Sequence, residues 1–291
     1  MIRRARRRAG RRRTVAIAGI LLLLVLAVGA GLWAVDGGGD SARSASRRPF
    51  QPVTVPTTTL PPPLPPPFER YWFTGDSVAS NLADPMAELA SARGLSWVNA
   101  PKIGCRVLEG RPTAPDGTVI GPTDCESLER RVLDDELGDA QVAVILSSWE
   151  IAGLLLGDEN LAFGTPEWEA ATFDLWLRAL DALESAGVRS VVVVAHAPPA
   201  DWIQALTPEG FQYAQDVRQY ERFLARVAAR HADMVTVVRL SSIVCPGGSC
   251  PTVIGDVELR PRDGGHFSPE GAALVTPELL DAVVTAANRL S

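Results

Sequence analysis

Short apolar runs alternate along this chain with longer segments in which apolar residues recur every third or fourth position. The runs Val142–Leu146 and Val191–Val194 are uninterrupted, which is typical of strands buried on both faces of a parallel sheet. The intervening segments have helical spacing, and some open on a capping residue followed by proline. We predict strands at Glu69–Thr74, Leu95–Ala100, Gln141–Leu146, Ser190–Ala195 and Met234–Leu240. We predict helices at Asp84–Gly94, Ser127–Leu137, Pro166–Gly187, Phe211–His231 and Ser268–Leu290.

Strands separated by helices of this length indicate a parallel sheet covered on both faces. The predicted fold class is therefore α/β, as a flavodoxin-like three-layer α/β/α sandwich preceded by one transmembrane helix. In such folds the functional groups lie at the C-terminal ends of the strands.

The N-terminal end has the pattern of a membrane anchor. Residues 1–13 contain eight arginines and no acidic residue, and residues 14–35 are uncharged and mostly apolar. Twenty-two residues suffice to cross ~30 Å of hydrocarbon. The charge bias places residues 1–13 in the cytoplasm and the rest outside, as a single-pass protein of the cell membrane. A cleaved signal peptide is the alternative, which the length of the apolar segment disfavours.

Residues 36–68 form a predicted linker, first rich in Gly and Ser, then in Thr, and finally in Pro. Such a polyproline segment extends by ~3.1 Å per residue, so it could hold a domain up to ~100 Å from the membrane. A proline-rich ligand for a recognition module is the competing interpretation. Residues 69–291 are long enough for one compact catalytic domain.

Charge and cysteine content exclude some classes of partner and predict disulfide bonds. Residues 14–291 carry all 34 acidic residues but only 20 of the 28 basic ones, which argues against a nucleic-acid partner. Four cysteines in an exported domain are consistent with two disulfides, and we favour the local pairs Cys105–Cys125 and Cys245–Cys250 over the other pairings. Zinc binding is a weaker alternative because the ligand spacings do not fit. No motif for a metal or cofactor is evident.

Two short motifs supply candidate chemistry. Gly75-Asp76-Ser77 follows the first predicted strand, and Asp263-Gly264-Gly265-His266 precedes the last helix. Together they offer a nucleophile, a base and an orienting carboxylate, which hydroxyl-based acyl transfer requires. Each motif alone also fits an ordinary turn, so the hypothesis depends on their conjunction.

These motifs resemble the first and last sequence blocks of the SGNH (GDSL-type) hydrolases. Thr74-Gly75-Asp76-Ser77 and Arg262–Gly271 carry the resemblance, which extends over residues 69–290. It is closest to the extracytoplasmic SGNH domains attached to integral-membrane O-acyltransferases that modify cell-envelope glycans. The resemblance implies Ser77 as nucleophile, His266 as base and Asp263 as its orienting acid. It further implies oxyanion donors from the backbone amides of Ser77 and Gly104.

The third sequence block of the family corresponds to the residues after the third predicted strand, and here this chain departs from the family pattern. The family usually has Gly-x-Asn-Asp there, and the asparagine donates to the oxyanion, whereas this chain has Ser147-Ser148-Trp149-Glu150. Loss of one such donor typically costs ~10²–10³ in rate. Ser148 or Trp149 could supply the donor, or Trp149 could only pack at the edge of the domain. Trp149 and His196, which follows the fourth predicted strand, are also candidates for substrate binding, although His196 fits a backbone-bonded loop residue better.

The resulting hypothesis is a serine esterase or O-acyltransferase acting on acyl groups, in particular acetyl groups, of an envelope glycan or another acylated small substrate. A membrane acyltransferase would be its partner. The alternative is a catalytically weak SGNH-like domain that binds glycan or scaffolds such a partner. An α/β-hydrolase lipase fits less well, because Gly-x-Ser-x-Gly is missing.

Overall fold

The computed structural model describes residues 68–290. Its helices are α1 (Ser77–Ala92), α2 (Leu128–Leu133), α3 (Pro166–Ser185), α4 (Asp201–Leu206), α5 (Pro208–Arg230), α6 (Leu240–Val244) and α7 (Pro269–Asn288). Its strands are β1 (Arg70–Gly75), β2 (Ser96–Asn99), β3 (Arg111–Thr113), β4 (Val142–Leu146), β5 (Gly153–Leu156), β6 (Glu159–Leu161), β7 (Ser190–Ala195), β8 (Val235–Arg239), β9 (Val253–Ile254) and β10 (Val257–Glu258).

The central sheet contains five parallel strands in the order β2-β1-β4-β7-β8. These are the five strands predicted from the sequence, so the α/β class and the parallel sheet are confirmed. Numbered by their appearance in the chain, the order is 2-1-3-4-5, which is the flavodoxin-like order. The carboxyl ends of all five strands therefore meet at one edge of the sheet.

Helices cover both faces of this sheet because strand side chains alternate between the faces. Tyr71 and Phe73 of β1 enter a buried cluster that includes residues of α1, α6 and α7, whereas Trp72 enters a second cluster with α3 and α5. The uninterrupted Val191–Val194 run contributes to both clusters in the same alternating way. The apolar runs of the sequence are thus strands with two buried faces.

The predicted start of the first helix is wrong. We expected Asp84 to cap a helix beginning at Pro85, but α1 begins at Ser77 and contains Pro85 in its interior. The actual cap is Asp76, whose side chain accepts a hydrogen bond from the Val78 amide. An Asp-Pro pair has the sequence pattern of a helix start, and here the earlier cap overrides it.

Several small elements differ from the predictions. Helix α2 ends at Leu133 rather than Leu137, because the chain turns at Asp135 with a φ of 60°. The antiparallel sheet β3-β5-β6, the hairpin β9-β10 and helix α4 were not predicted. They are strands of two to four residues and a helix of six, too short to show a clear period.

The predicted cytoplasmic tail (1–13), the predicted anchor (14–35) and the predicted linker up to residue 67 lie outside the described residues. Phe68, predicted to belong to the linker, is fully buried. The guanidinium carbon of Arg189 lies 4.9 Å from the centre of the Phe68 ring. Within residues 68–290, no helix has both the length and the apolar character needed to cross a bilayer.

Candidate active site

The turn that carries Ser77 joins β1 directly to α1 at the carboxyl edge of the sheet. Gly75 has a φ of +151°, and a Cβ atom there would lie 1.7 Å from the backbone oxygen of Leu146 on the neighbouring strand. Only glycine fits this position. Ser77 is the first residue of α1, so its backbone amide is one of the N–H groups that a helix leaves without an internal acceptor.

Asp76 fastens this turn to the next strand end. Its carboxylate is fully buried, and Oδ1 accepts the Val78 amide at 2.9 Å. Oδ2 accepts both the backbone amide and the hydroxyl of Ser148, each at 2.6 Å. The backbone amide of Asp76 donates to the Leu146 oxygen at 3.2 Å. Asp76 therefore fixes the turn of the predicted nucleophile, Gly75–Ser77, which we call the nucleophile turn. Both hydrogen-bond donors of Ser148 are directed at the Asp76 carboxylate.

The second motif folds into a compact turn of its own. Asp263 Oδ1 accepts the backbone amides of Gly265 and His266, both at 2.9 Å, and Oδ2 lies 2.5 Å from Nδ1 of His266. Partial burial raises the pKa of Asp263, but these hydrogen bonds outweigh it and lower the pKa to about 2. The carboxylate thus stays ionised beside the imidazole.

Contacts with α1 and α4 position this turn. The Gly264 oxygen accepts the Ala200 amide at 3.0 Å, just before α4 begins. The Phe267 amide donates to Oδ1 of Asn81 on α1 at 3.2 Å. His266 is thereby presented to the start of α1, with Nε2 2.7 Å from Oγ of Ser77. The fold brings together two residues that lie 189 positions apart in the sequence.

Ser77, His266 and Asp263 form one continuous hydrogen-bonded chain. The imidazole can accept the serine proton at Nε2, while the carboxylate holds Nδ1 and stabilises the positive charge that develops on the ring. The His266 side chain retains 44% of its exposure and that of Asp263 52%, so the site is open to solvent. This arrangement is suited to nucleophilic attack on an ester carbonyl.

Gly104 lies in a loop that passes the nucleophile turn. The Lys102 amide donates to the Gly75 oxygen at 2.7 Å, and the disulfide between Cys105 and Cys125 closes the same loop. Gly104 itself has a φ of +75°. Trp149 is half-buried, with its ring near Gly121 of this loop, 3.6 Å from where a Cβ atom would stand. Its indole therefore packs against the disulfide-closed loop.

A buried ion pair beside this loop was missed by the sequence analysis. Glu150 and Arg106 have almost no exposed side-chain surface, and Arg106 Nε lies 3.8 Å from Glu150 Oε1. The same oxygen accepts the amides of Val107 and Leu108 at 2.7 and 3.2 Å. Burial lowers the pKa of Arg106, whereas the charge of Glu150 raises it. Glu150 thus ties the turn after β4 to the segment that follows Gly104.

His196 is buried rather than on the surface. Its side chain is 4% exposed and packs edge-on against Tyr213, with 6.3 Å between the ring centres. Burial lowers the pKa of His196, and the nearby Asp76 carboxylate acts in the opposite direction. These surroundings favour a core position over direct contact with substrate.

The cysteines form the two local disulfides that the sequence predicted, Cys105–Cys125 and Cys245–Cys250. The second closes a loop whose Cys250 amide donates to Asp201 at the start of α4. In the part of the chain that the structure describes, no group of three or more His, Cys, Asp or Glu side chains is arranged to hold a metal ion.

A family model described as "SGNH domain (fused to AT3 domains)" matches residues 58–281, well over half of the chain. The chain belongs to this SGNH family. The resemblance in the two end motifs is thereby confirmed at the level of the family. The third sequence block of this SGNH domain differs from the family pattern. In the structure Ser148 is hydrogen-bonded to Asp76, and Trp149 packs on the disulfide-closed loop.

Several solved structures are similar to this chain. The periplasmic domain of a lipopolysaccharide acetyltransferase from Salmonella ser. Paratyphi A has a TM-score of 0.52 and 11% identity, covering 74% of this chain and 84% of that one. A GDSL-like lipase from Bacteroides thetaiotaomicron has a TM-score of 0.44 and 14% identity, covering 75% and 89%. An acetyl xylan esterase, AlAXEase, has a TM-score of 0.47 and 15% identity, covering 73% and 98%. A search of curated proteins found no match to this SGNH domain.

Proposed function

We propose that this chain is a serine esterase or O-acyltransferase that acts on acyl esters, in particular acetyl esters, of a cell-envelope glycan. The observation that carries the proposal is the hydrogen-bonded chain from Ser77 through His266 to Asp263. A half-buried serine at a helix N-terminus, in contact with an imidazole that is itself held by a carboxylate, has the arrangement of an activated serine nucleophile.

The proposed reaction has two halves. His266 Nε2 takes the proton of Ser77 as Oγ attacks the acyl carbon, and the same proton passes to the departing alkoxide, which leaves as an alcohol. A water or a second alcohol then attacks the acyl-enzyme and gives its proton to Nε2, which returns it to the departing Oγ. The backbone amides of Ser77 and Gly104 are the proposed donors to the oxyanion.

The proposed partner and location rest on the family and on the N-terminal sequence. Domains of this family are fused to AT3 domains, and the Salmonella structure is the periplasmic domain of an acetyltransferase. An arginine-rich segment followed by 22 uncharged residues supports a single-pass anchor, with the domain outside the cytoplasm. In this proposal a separate membrane acyltransferase supplies the acyl group when the reaction is a transfer.

The assignment of Ser77 is tested with an activated ester. The purified full-length chain should hydrolyse 4-nitrophenyl acetate, and Ser77→Ala should lower kcat/KM by about 10⁴-fold or more, since no other group supplies the nucleophile. Ser91→Ala, an exposed serine on the same helix, is the matched control and should keep full activity. Equal turnover by Ser77→Ala and the wild type would exclude the assigned nucleophile.

A specific observation favours one alternative, a catalytically weak domain that binds glycan or scaffolds an acyltransferase. Both donors of Ser148 are directed at Asp76, and tryptophan replaces the family's asparagine, so the third-block oxyanion donor is missing from its usual place. A fluorophosphonate probe separates the two functions. Covalent labelling of Ser77 supports the enzyme, whereas glycan binding without labelling supports the scaffold.

A further inference from the structure

A cleft of about 750 Å³ lies beside His266, between the first turns of α1 and the segment that leads into α7. His266 and Asp263 form part of its wall, whereas Ser77 does not line it. The imidazole thus contacts Ser77 through Nε2 and also lines the cleft. The volume falls within the ~300–1,000 Å³ that is usual for small-molecule sites.

The polar wall of the cleft continues from the nucleophile along one face of α1. Ser77, Ser80, Asn81 and Asp84 follow the spacing i, i+3, i+4 and i+7, which places them in one stripe. The last three line the cleft, while the apolar residues of the helix are buried on its other side. Seven residues of helix rise by ~10 Å, so the stripe leads away from the reacting centre.

The charges on the rim are suited to a neutral ligand with many hydroxyl groups. Asp84 and Arg262 are exposed and line the cleft from α1 and from the segment before α7. Within residues 68–290 neither of them forms an ion pair. A carboxylate accepts hydrogen bonds from adjacent hydroxyls, and a guanidinium donates to them. Asn81 accepts the Phe267 amide through Oδ1 and offers its NH₂ group as a further donor.

Proton transfer determines which half of an ester faces this cleft. The alcohol oxygen must exchange its proton with Nε2 of His266, so the alcohol half lies on the histidine side of the reacting carbon. We propose that the cleft binds the sugar half of the ester, through Asp84, Arg262 and Asn81. This inference rests on the proposed function and identifies the part of the site that selects a polyhydroxylated alcohol.

The test compares two acetate esters with alcohol halves of similar size. One is methyl 6-O-acetyl-glucoside, which has three free hydroxyls, and the other is cyclohexylmethyl acetate, which has none. The measured quantity is the ratio of their kcat/KM values with the full-length chain. Asp84→Ala and Arg262→Ala should each lower this ratio about tenfold, because each removes a charged hydrogen-bond partner of the sugar. Glu88→Ala, exposed one turn beyond Asp84 and outside the cleft, is the matched control and should keep the wild-type ratio.

An unchanged ratio in both cleft variants would overturn the inference while leaving the esterase assignment intact. If the wild type cleaves neither ester, the readout is the rate at which a fluorophosphonate labels Ser77. Methyl glucoside should slow labelling of the wild type but not of Asp84→Ala, and absence of protection in the wild type would equally overturn the inference. Failure of the wild type to be labelled at all would instead reject the proposed function.

Discussion

The two turns that meet at the active site are held in opposite ways. The nucleophile turn is buried and fixed by its neighbours, because Gly75 packs on the Leu146 backbone and Asp76 bonds to Ser148 of the next strand end. The base turn, Asp263–His266, has half-exposed side chains at both ends, and Asp263 accepts the amides of Gly265 and His266 within the turn. Single hydrogen bonds from Ala200 to Gly264 and from Phe267 to Asn81 attach it to the rest of the domain. One turn is therefore part of the folded core, and the other is an attachment to it.

This difference separates stability from activity. A change in the nucleophile turn disturbs the packing of β1 against β4 and should destabilise the whole domain. A change of the half-exposed Asp263 or His266 side chain should leave the domain folded and mainly impair proton transfer. Three measurements test this contrast.

The largest effect is expected for Gly75→Ala. The added Cβ would overlap the Leu146 oxygen and lie 2.7 Å from the Ala79 side chain, so the strands must separate. We expect a loss of at least about 4 kcal/mol of unfolding free energy, measured by chemical denaturation. Gly94→Ala is the matched control, because it shares a positive φ but has no atom within 4 Å of the added Cβ, and it should cost only about 1–2 kcal/mol. Similar losses in both variants would contradict the tight approach at Gly75.

The two aspartates provide an intermediate test. Asp76→Asn directs an NH₂ group or a weaker acceptor at the donors of Ser148 and should cost about 2 kcal/mol of stability. Asp263→Asn should cost less, about 1 kcal/mol or below at neutral pH, because the side chain is half-exposed and its charge interactions are screened by solvent. It should nevertheless lower kcat about 10⁴-fold, since the amide no longer holds the required imidazole tautomer. Thermal melts and ester kinetics on the two proteins measure both quantities, and a larger stability loss for Asp263→Asn would reverse the contrast.

The smallest effect concerns acid stability. The pKa of Asp263 is about 2 in the folded domain and ~3.9 in an unfolded chain. Its ionised form therefore stabilises the fold above about pH 4, and this contribution is lost as the pH falls through about 2. The difference in unfolding free energy between wild type and Asp263→Asn should change between pH 4 and 2. A difference that stays constant throughout would show that the base turn contributes no such stabilisation.

The sheet and the end motifs could be predicted because they depend on local patterns. Five apolar runs separated by helical segments leave few alternatives to a parallel sheet, and all five strands are observed. The proximity of Ser77 and His266 was expected from the same reasoning, because the functional groups of such a sheet lie at the carboxyl ends of its strands. The local disulfides were likewise predicted from their spacing.

Contacts between distant loops could not be predicted in this way. The Asp84-Pro85 pair suggested a helix start, whereas the Asp76 carboxylate caps the helix eight residues earlier. Nothing local indicates that Glu150 turns inward to meet Arg106, because a charged pair becomes buried only through tertiary packing. The role of Asn81 was visible only as a polar residue one turn after Ser77, a spacing that acquires meaning once α1 is known to begin there.

The exposure of His266 affects the size of the substrate that the proposed active site can accept. A side chain with 44% of its surface in solvent stands at a rim, not at the bottom of a tunnel. A long polymer can lie across such a rim with both of its ends held elsewhere. Units in the middle of a chain are then as reachable as those at a terminus, and no threading is required.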